Sequence, residues 1–259
     1  MWNLPPPPGF QGLDPAKPFT VYKRHLPHWR QDGATYFVTF RLADSVPQRK
    51  MDELTELRVA WERRHPGQRS HAALEELARE VQQRIEVWLD QGMGSCVLAQ
   101  RELAAFVTSA MRHFDGDHYE LDCYVVMPNH AHAILRPIKP ESHSLEDILG
   151  SWKKYSARRI NGALEHTGGL WQDESFDRII RDEEHLWRGI QYIGANTDKA
   201  GLSRESCPLW IRPKWVELGW RFEQTNSSRS AQESRPTERF ADEFAREGSR
   251  VCHFMRHRH

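Results

Sequence analysis

The spacing of polar and apolar positions along this chain changes several times, and each change marks an element. Residues 34–43 (ATYFVTFRLA) concentrate β-branched and aromatic side chains and predict a strand. From 48 to 90 the period becomes helical, with Leu74, Leu77, Val81 and Ile85 on one face. A break at His65-Pro66-Gly67 divides this stretch into a helical pair. A further helix is predicted over 99–114, with Leu103, Phe106, Val107 and Met111 on one side. Asp115-Gly116 then turns the chain into a strand, HYELDCYVVM, in which Tyr119, Leu121, Cys123 and Val125 alternate. Pro128-Asn129 makes the next turn, and HAHAILRP returns as a second strand.

Residues 144–161 (SLEDILGSWKKYSARRIN) predict a helix capped by Ser144, with Asp147 at the spacing of a capping box and Gly162 beyond the end. SFDRIIR reads as a short last strand. DEEHLWRGIQYIGANTDKAGL reads as a helix that begins with acids and ends near Gly201. With 48–90 set apart as a helical insertion, the order is β-α-β-β-α-β. That is an α+β, ferredoxin-like arrangement, an antiparallel sheet with helices on one face. The proline run at 5–8 predicts a flexible arm over 1–19, followed by one domain over 20–221. Residues 222–259 are too polar to build a core and are expected to be disordered, apart from a short helix at 238–246.

Composition narrows the class. The 259 residues are 39% hydrophobic and 28% charged, as in a soluble globular protein. No apolar run approaches the ~20 residues that a membrane helix needs. The first residues, MWNLPPPPGFQGLDP, lack the basic start and apolar centre of a secretory signal. Cys96, Cys123, Cys207 and Cys252 are scattered with no CxxC pair, which argues against a disulfide framework or a zinc knuckle. A cytoplasmic protein with reduced thiols is expected, with no membrane association. The 36 basic and 36 acidic residues cancel, so the whole chain has no cationic field to attract nucleic acid. Any such role rests on local patches. In 21–41, Lys23, Arg24, Arg30 and Arg41 face only Asp32. In WKKYSARR, Lys153, Lys154, Arg158 and Arg159 face no acid at all.

Two features carry candidate chemistry. In VVMPNHAHAIL, His130 and His132 are two apart on a predicted strand and therefore project from the same face, where they could share a divalent metal. The spacing alone fits two structural histidines better than a metal site, since histidine is often half buried. The second feature is Tyr155, at the edge of the apolar stripe Leu145, Ile148, Leu149 and Trp152 and among four cations. It fits an amphipathic residue at a core boundary, or a nucleophile whose phenolate the cations would stabilise. HExxH, Walker and GxSxG patterns are absent, and Ile134 stands where a histidine-triad hydrolase needs a third alternating histidine.

VVMPNHAHAIL, then SWKKYSARRIN, then GLWQDESFDRIIRDEEHLWRGIQYIGANTDKAGL, in this order over roughly residues 20–205, resemble the REP-associated tyrosine transposases. These belong to the HUH single-tyrosine transposases and have a ferredoxin-like fold. The resemblance implies that His130 and His132 bind magnesium or manganese and that Tyr155 attacks a phosphodiester of single-stranded DNA, keeping a covalent 5′-phosphate link. It also implies hairpin-forming repeats as the partner, with Arg178 and Arg181 contacting the DNA backbone beside Lys153, Lys154, Arg158 and Arg159. A monomer is expected, with a dimer left open.

One departure stands out. In related enzymes a Gln or Asn one helical turn after the tyrosine is a further metal ligand. Arg159 occupies that place after Tyr155 and cannot coordinate a cation, while Asn161 points elsewhere round the helix. Gln172, Glu174 or water are substitutes, and the third ligand stays unassigned. Arg159 and the neutral net charge favour an alternative function, a hairpin-binding protein of the same fold with weak catalysis. Tyr192 is the next tyrosine to consider as nucleophile.

Overall fold

The computed structural model describes residues 4–23, 27–67 and 71–223. The tail expected to be disordered, with its short helix, lies outside the described residues from 224 onward.

A hairpin of β1 (Thr20–Lys23) and β2 (Pro27–Arg30) precedes β3 (Tyr36–Arg41). The insertion follows as α1 (Gln48–Arg64) and α2 (His71–Asp90), then α3 (Arg101–His113), β4 (Tyr119–Val126) and β5 (His130–Pro137). Next come α4 (Leu145–Ala163), β6 (Phe176–Ile179), α5 (Glu183–Lys199), β7 (Leu209–Ile211) and α6 (Pro213–Glu217). The main sheet runs β6-β3-β5-β4-β7, and every neighbouring pair is antiparallel. Without β7 this is the ferredoxin-like strand order, reached through the expected β-α-β-β-α-β sequence. The hairpin, β7 and α6 are elements that the periodicity does not announce.

Local chemistry explains the boundaries. Ser144 Oγ accepts from Asp147 N and Asp147 Oδ2 accepts from Ser144 N, each at 3.2 Å, completing the capping box of α4. Asp182 caps α5 by accepting from His185 N at 2.7 Å.

The two faces of the sheet bury different cores. Tyr36, Val38 and Phe40 of β3 and Ala131, Ala133 and Leu135 of β5 join α3 and α4 in one core. There Trp152 Nε1 donates to the Tyr119 hydroxyl at 2.8 Å. Phe37, Val125 and Ile134 face the other way, against Leu186, Ile190 and Ile193 of α5. The two core helices thus share one face as expected, and α5 covers the opposite one. The uninterrupted alternation expected from Tyr119 to Val125 does not hold. The register shifts between Leu121 and Cys123, so Tyr119 and Leu121 join the α3/α4 core while Cys123 and Val125 join the α5 core. A β-bulge at Asp122 is the cause, since one extra residue reverses the side-chain parity of everything after it.

Residues 4–19, expected as a flexible arm, are held against the body. Trp220 Nε1 donates to Pro5 O at 2.9 Å, Trp215 Nε1 donates to Pro8 O at 3.1 Å, and Leu13 N donates to Ile180 O at 3.0 Å. The prolines lack N–H donors but keep their carbonyls as acceptors for buried indoles. No helix among the described residues is long and apolar enough to cross a membrane.

Candidate metal centre and nucleophile

β5 places the histidine pair. Its register sets His132 opposite Thr39 and Val125, and His130 opposite Arg41, so both imidazoles point to the α5 face. Each histidine is 1% exposed. Their neighbours fix the tautomers. Asn129 Nδ2 donates to Leu89 O at 3.2 Å and Met93 O at 3.0 Å, which turns Asn129 Oδ1 toward His130. His130 Nδ1 lies 2.7 Å from that oxygen and must carry the proton, leaving the His130 Nε2 lone pair bare. His130 Nε2 and His132 Nε2 are 3.0 Å apart, so His132 carries its proton on Nε2 and donates across the gap. Thr39 Oγ1 sits 2.8 Å from His132 Nδ1 and can donate or accept. A single tautomer shift at His132 would therefore bare both Nε2 atoms toward one point. Burial lowers the pKa of His130 to about 3, and burial with His130 and Lys199 nearby lowers that of His132 well below its ordinary value. Both imidazoles are neutral, as metal coordination needs.

α5 supplies the rest of the site. Tyr192 stands edge-on to His132, with ring centroids 5.3 Å apart, and edge-on to Phe37 at 5.7 Å. One helical turn later, Asn196 Nδ2 donates to Tyr192 O at 2.7 Å, which aims the amide oxygen away from its own helix. That oxygen is close enough to His132 to favour protonation of the ring, yet Asn196 Oδ1 is buried without any hydrogen bond of ordinary geometry. A buried amide oxygen left in this state is costly unless something electropositive meets it. Among the described residues no three His, Cys, Asp or Glu side chains converge as a metal group. Asn196 Oδ1 is a further polar atom beside His132 and is one that could serve a metal ion as a ligand. Two imidazole nitrogens and an amide oxygen fit a divalent ion.

The insertion roofs this cluster. Glu86 of α2 accepts a hydrogen bond from Gln82 Nε2 at 2.9 Å, and its carboxyl group lies close enough to the Tyr192 phenol for each to affect the other's titration. Glu86 keeps some surface exposure, but its carboxyl group is enclosed, and burial pushes that carboxyl's pKa up. Lys199 Nζ lies 4.1 Å from the Tyr192 ring centroid. Burial, with Glu86 and Asp90 close by, raises the Tyr192 phenol well above its usual range.

Tyr155 is not brought to the histidines. It stands on α4, which packs on the other face of the sheet, and it is 46% exposed. Lys153 Nζ donates to Gln172 O at 2.8 Å and Asp173 O at 2.9 Å, tying α4 to the following loop. Lys154 and Arg158 are exposed, and Arg159 lies over the Phe106 ring at 4.8 Å. All four cations belong to the α4 side. Arg178 instead pairs with Phe37 in the register and shares its face, and with Arg181 and Arg188 it surrounds buried His185 at the start of α5. Glu174, one substitute for the third ligand, is engaged with His28 Nε2 at 3.0 Å. Arg41 is buried and donates to Ser45 Oγ at 3.2 Å, and burial lowers its pKa to about 10.

Sequence reasoning named Tyr192 only as a second candidate and did not join it to Asn196, Lys199 and Glu86. The spacing test that fails at Tyr155 succeeds at Tyr192, because Asn196 stands one helical turn beyond it. Nothing in the sequence pairs Glu86 with α5.

Comparison with known proteins gives little more. No family model matches the chain, and no curated protein does. Among solved structures, one of a REP-associated tyrosine transposase bound to a REP hairpin aligns with 83% of this chain and 98% of that one. The identity is 17% and the TM-score 0.39, a distant likeness of fold and no more.

Proposed function

We propose that this protein is a metal-dependent enzyme that nicks and rejoins single-stranded DNA at hairpin-forming repeats, with Tyr192 rather than Tyr155 as the nucleophile. The observation that carries this reading is the convergence of His130 Nε2, His132 Nε2 and the unpartnered Asn196 Oδ1 beside the Tyr192 ring. The motif resemblance in the sequence supplies the substrate class.

His130, His132 and Asn196 would hold the ion, magnesium or manganese. When bound, it polarises the scissile phosphodiester and steadies the departing 3′ oxygen. Asn129 and Thr39 orient the two imidazoles through their Nδ1 atoms. Tyr192 attacks phosphorus and retains the 5′ phosphate as an ester, so the bond energy is kept and a 3′ hydroxyl of a second strand can reverse the step. Lys199 supplies positive charge beside the phenol. Arg178, Arg181 and Arg188 lie toward the same side and suit the DNA backbone. All these groups come from one chain, which fits a monomer.

One observation favours a second reading, hairpin binding with weak catalysis. Tyr192 is only 2% exposed, so side chains over the site must move before a phosphate can reach the hydroxyl. Both readings meet one test, incubation of labelled single-stranded hairpins with the protein and manganese. A denaturation-resistant protein–DNA adduct that is lost on chelation and in His130→Ala supports the enzyme. Hairpin binding with no adduct under any metal leaves the binding protein.

A further inference from the structure

One buried side chain beside the histidine pair carries a charge that the fold leaves unanswered. Arg41 ends β3 directly opposite His130, two residues beyond Thr39, whose hydroxyl meets His132. Its side chain therefore shares the face of both imidazoles. Across an antiparallel pair such neighbours have Cβ atoms only about 5 Å apart. The strand end is fixed there, since Gln172 N donates to Arg41 O and Leu42 N donates to Asn129 O, each at 2.9 Å. Arg41 is 7% exposed. Its guanidinium donates to Ser45 Oγ at 3.2 Å and to Met51 Sδ of α1 at 3.6 Å. Both acceptors are neutral, and no carboxylate pairs with it among the described residues. Arg30, Arg136 and Arg212 are only half-buried, yet each meets an acid. Arg30 pairs with Asp177 and Glu146, Arg136 with Glu120 at 2.6 Å, and Arg212 with Asp115 at 2.7 Å. The most enclosed of the four is the one without a counter-charge.

Resting on the proposed nicking function, we propose that Arg41 binds a nonbridging oxygen of the DNA phosphodiester held at the histidine pair. An enclosed guanidinium with no anion is costly to a fold, and an anion that enters from outside relieves that cost. Two of its five N–H groups are used, and one of those meets a thioether. A thioether is a weak acceptor on a flexible side chain, so a phosphate oxygen displaces it without moving backbone. The planar fork suits two phosphate oxygens at once, which the point charge of a lysine does not. Charge that builds on those oxygens as the ester is cleaved then meets a fixed cation in a water-poor site. Arg178 and Arg181 would hold the strand, whereas Arg41 holds the reacting group.

The test begins with thermal unfolding of the full chain, without added metal, in inorganic phosphate against sodium chloride of equal ionic strength. Phosphate should raise the melting temperature of the wild type as its concentration increases, because it binds the folded state. Arg41→Met fills the space of the stem without the charge. In chloride it should melt at or above the wild-type temperature, and phosphate should no longer move it. Arg41→Lys should keep a weaker phosphate response. On a labelled single-stranded hairpin in manganese, Arg41→Met should form the covalent adduct about 30-fold more slowly, as loss of a charge-assisted hydrogen bond implies. Its manganese affinity should not change. An equal phosphate response in wild type and Arg41→Met overturns the assignment, because the anion then sits elsewhere. A wild type that phosphate does not stabilise overturns it as well. So does Arg41→Met melting well below the wild type in chloride, which marks the guanidinium as structural. An unchanged adduct rate in Arg41→Met overturns it and leaves the nicking function standing. A phosphate response that needs Arg41, with no adduct in the wild type, sinks the nicking function and supports the anion site.

Discussion

His132 and Tyr192 meet across the interface of β5 and α5 with ring centroids 5.3 Å apart and planes at 79°. The pair joins the strand that carries the histidine motif to the helix that carries the second candidate tyrosine. Asn196 extends it, since its amide nitrogen is anchored by Tyr192 O and its oxygen lies against His132. Asn196→Leu removes that oxygen while keeping the volume close. Manganese affinity by calorimetric titration should fall tenfold or more, on the order of the losses seen when a metal site's supporting groups are removed. Unchanged affinity would take Asn196 out of the site.

Asn129 serves the site from outside. Asn129→Asp keeps an acceptor for His130 Nδ1 but loses the donor to Leu89 O and Met93 O. The change should lower the melting temperature, with a cost of about 1–3 kcal/mol for buried acceptors left unmet. It should also loosen α2, seen as faster amide hydrogen exchange over 81–93. Equal exchange in the two proteins would mean that the asparagine does not tie the insertion down.

Much of the fold was legible because helix and strand periods are local. The capping box of α4 and the break between α1 and α2 come from residues a few positions apart. The bulge at Asp122 was not legible, because nothing in LDCYV announces that one residue is extra. The proposed nucleophile was not the first tyrosine chosen, for a related reason. Tyr155 sits among visible cations on the exposed side of α4, whereas Tyr192 is buried in α5, where a tyrosine passes for packing. Glu86 could not be read at all, since Tyr192 is 106 positions away in a different element.

The cations divide by face, and DNA binding should divide with them. Arg178→Ala with Arg181→Ala should weaken hairpin binding and flatten its salt dependence. Lys154→Ala with Arg158→Ala, on the far side of the sheet, should change either little. Fluorescence anisotropy over a salt series separates the two, and the opposite ranking would place the DNA across α4.

His28 gives the fold a pH dependence. Burial alone would lower its pKa, but hydrogen bonds to Asp177, at 2.5 Å, and Glu174 outweigh that and raise it to about 9. An unfolded histidine titrates near 6.5. The protonated ring therefore stabilises the fold fully below about pH 6.5, and the contribution is lost as pH rises through about 9. It amounts to about 3 kcal/mol at most, as an order of magnitude from the shift. Thermal unfolding should weaken between pH 6.5 and 9, and His28→Gln should flatten that slope. A slope unaltered in the variant would locate the titration elsewhere.

The central claim is that Tyr192, and not Tyr155, carries the DNA. The most direct measurement is peptide mapping of the covalent adduct by mass spectrometry after reaction with a single-stranded hairpin in manganese. The account predicts a nucleotide remnant on the peptide containing Tyr192, with the adduct lost in Tyr192→Phe and retained in Tyr155→Phe. A remnant on the Tyr155 peptide would contradict it.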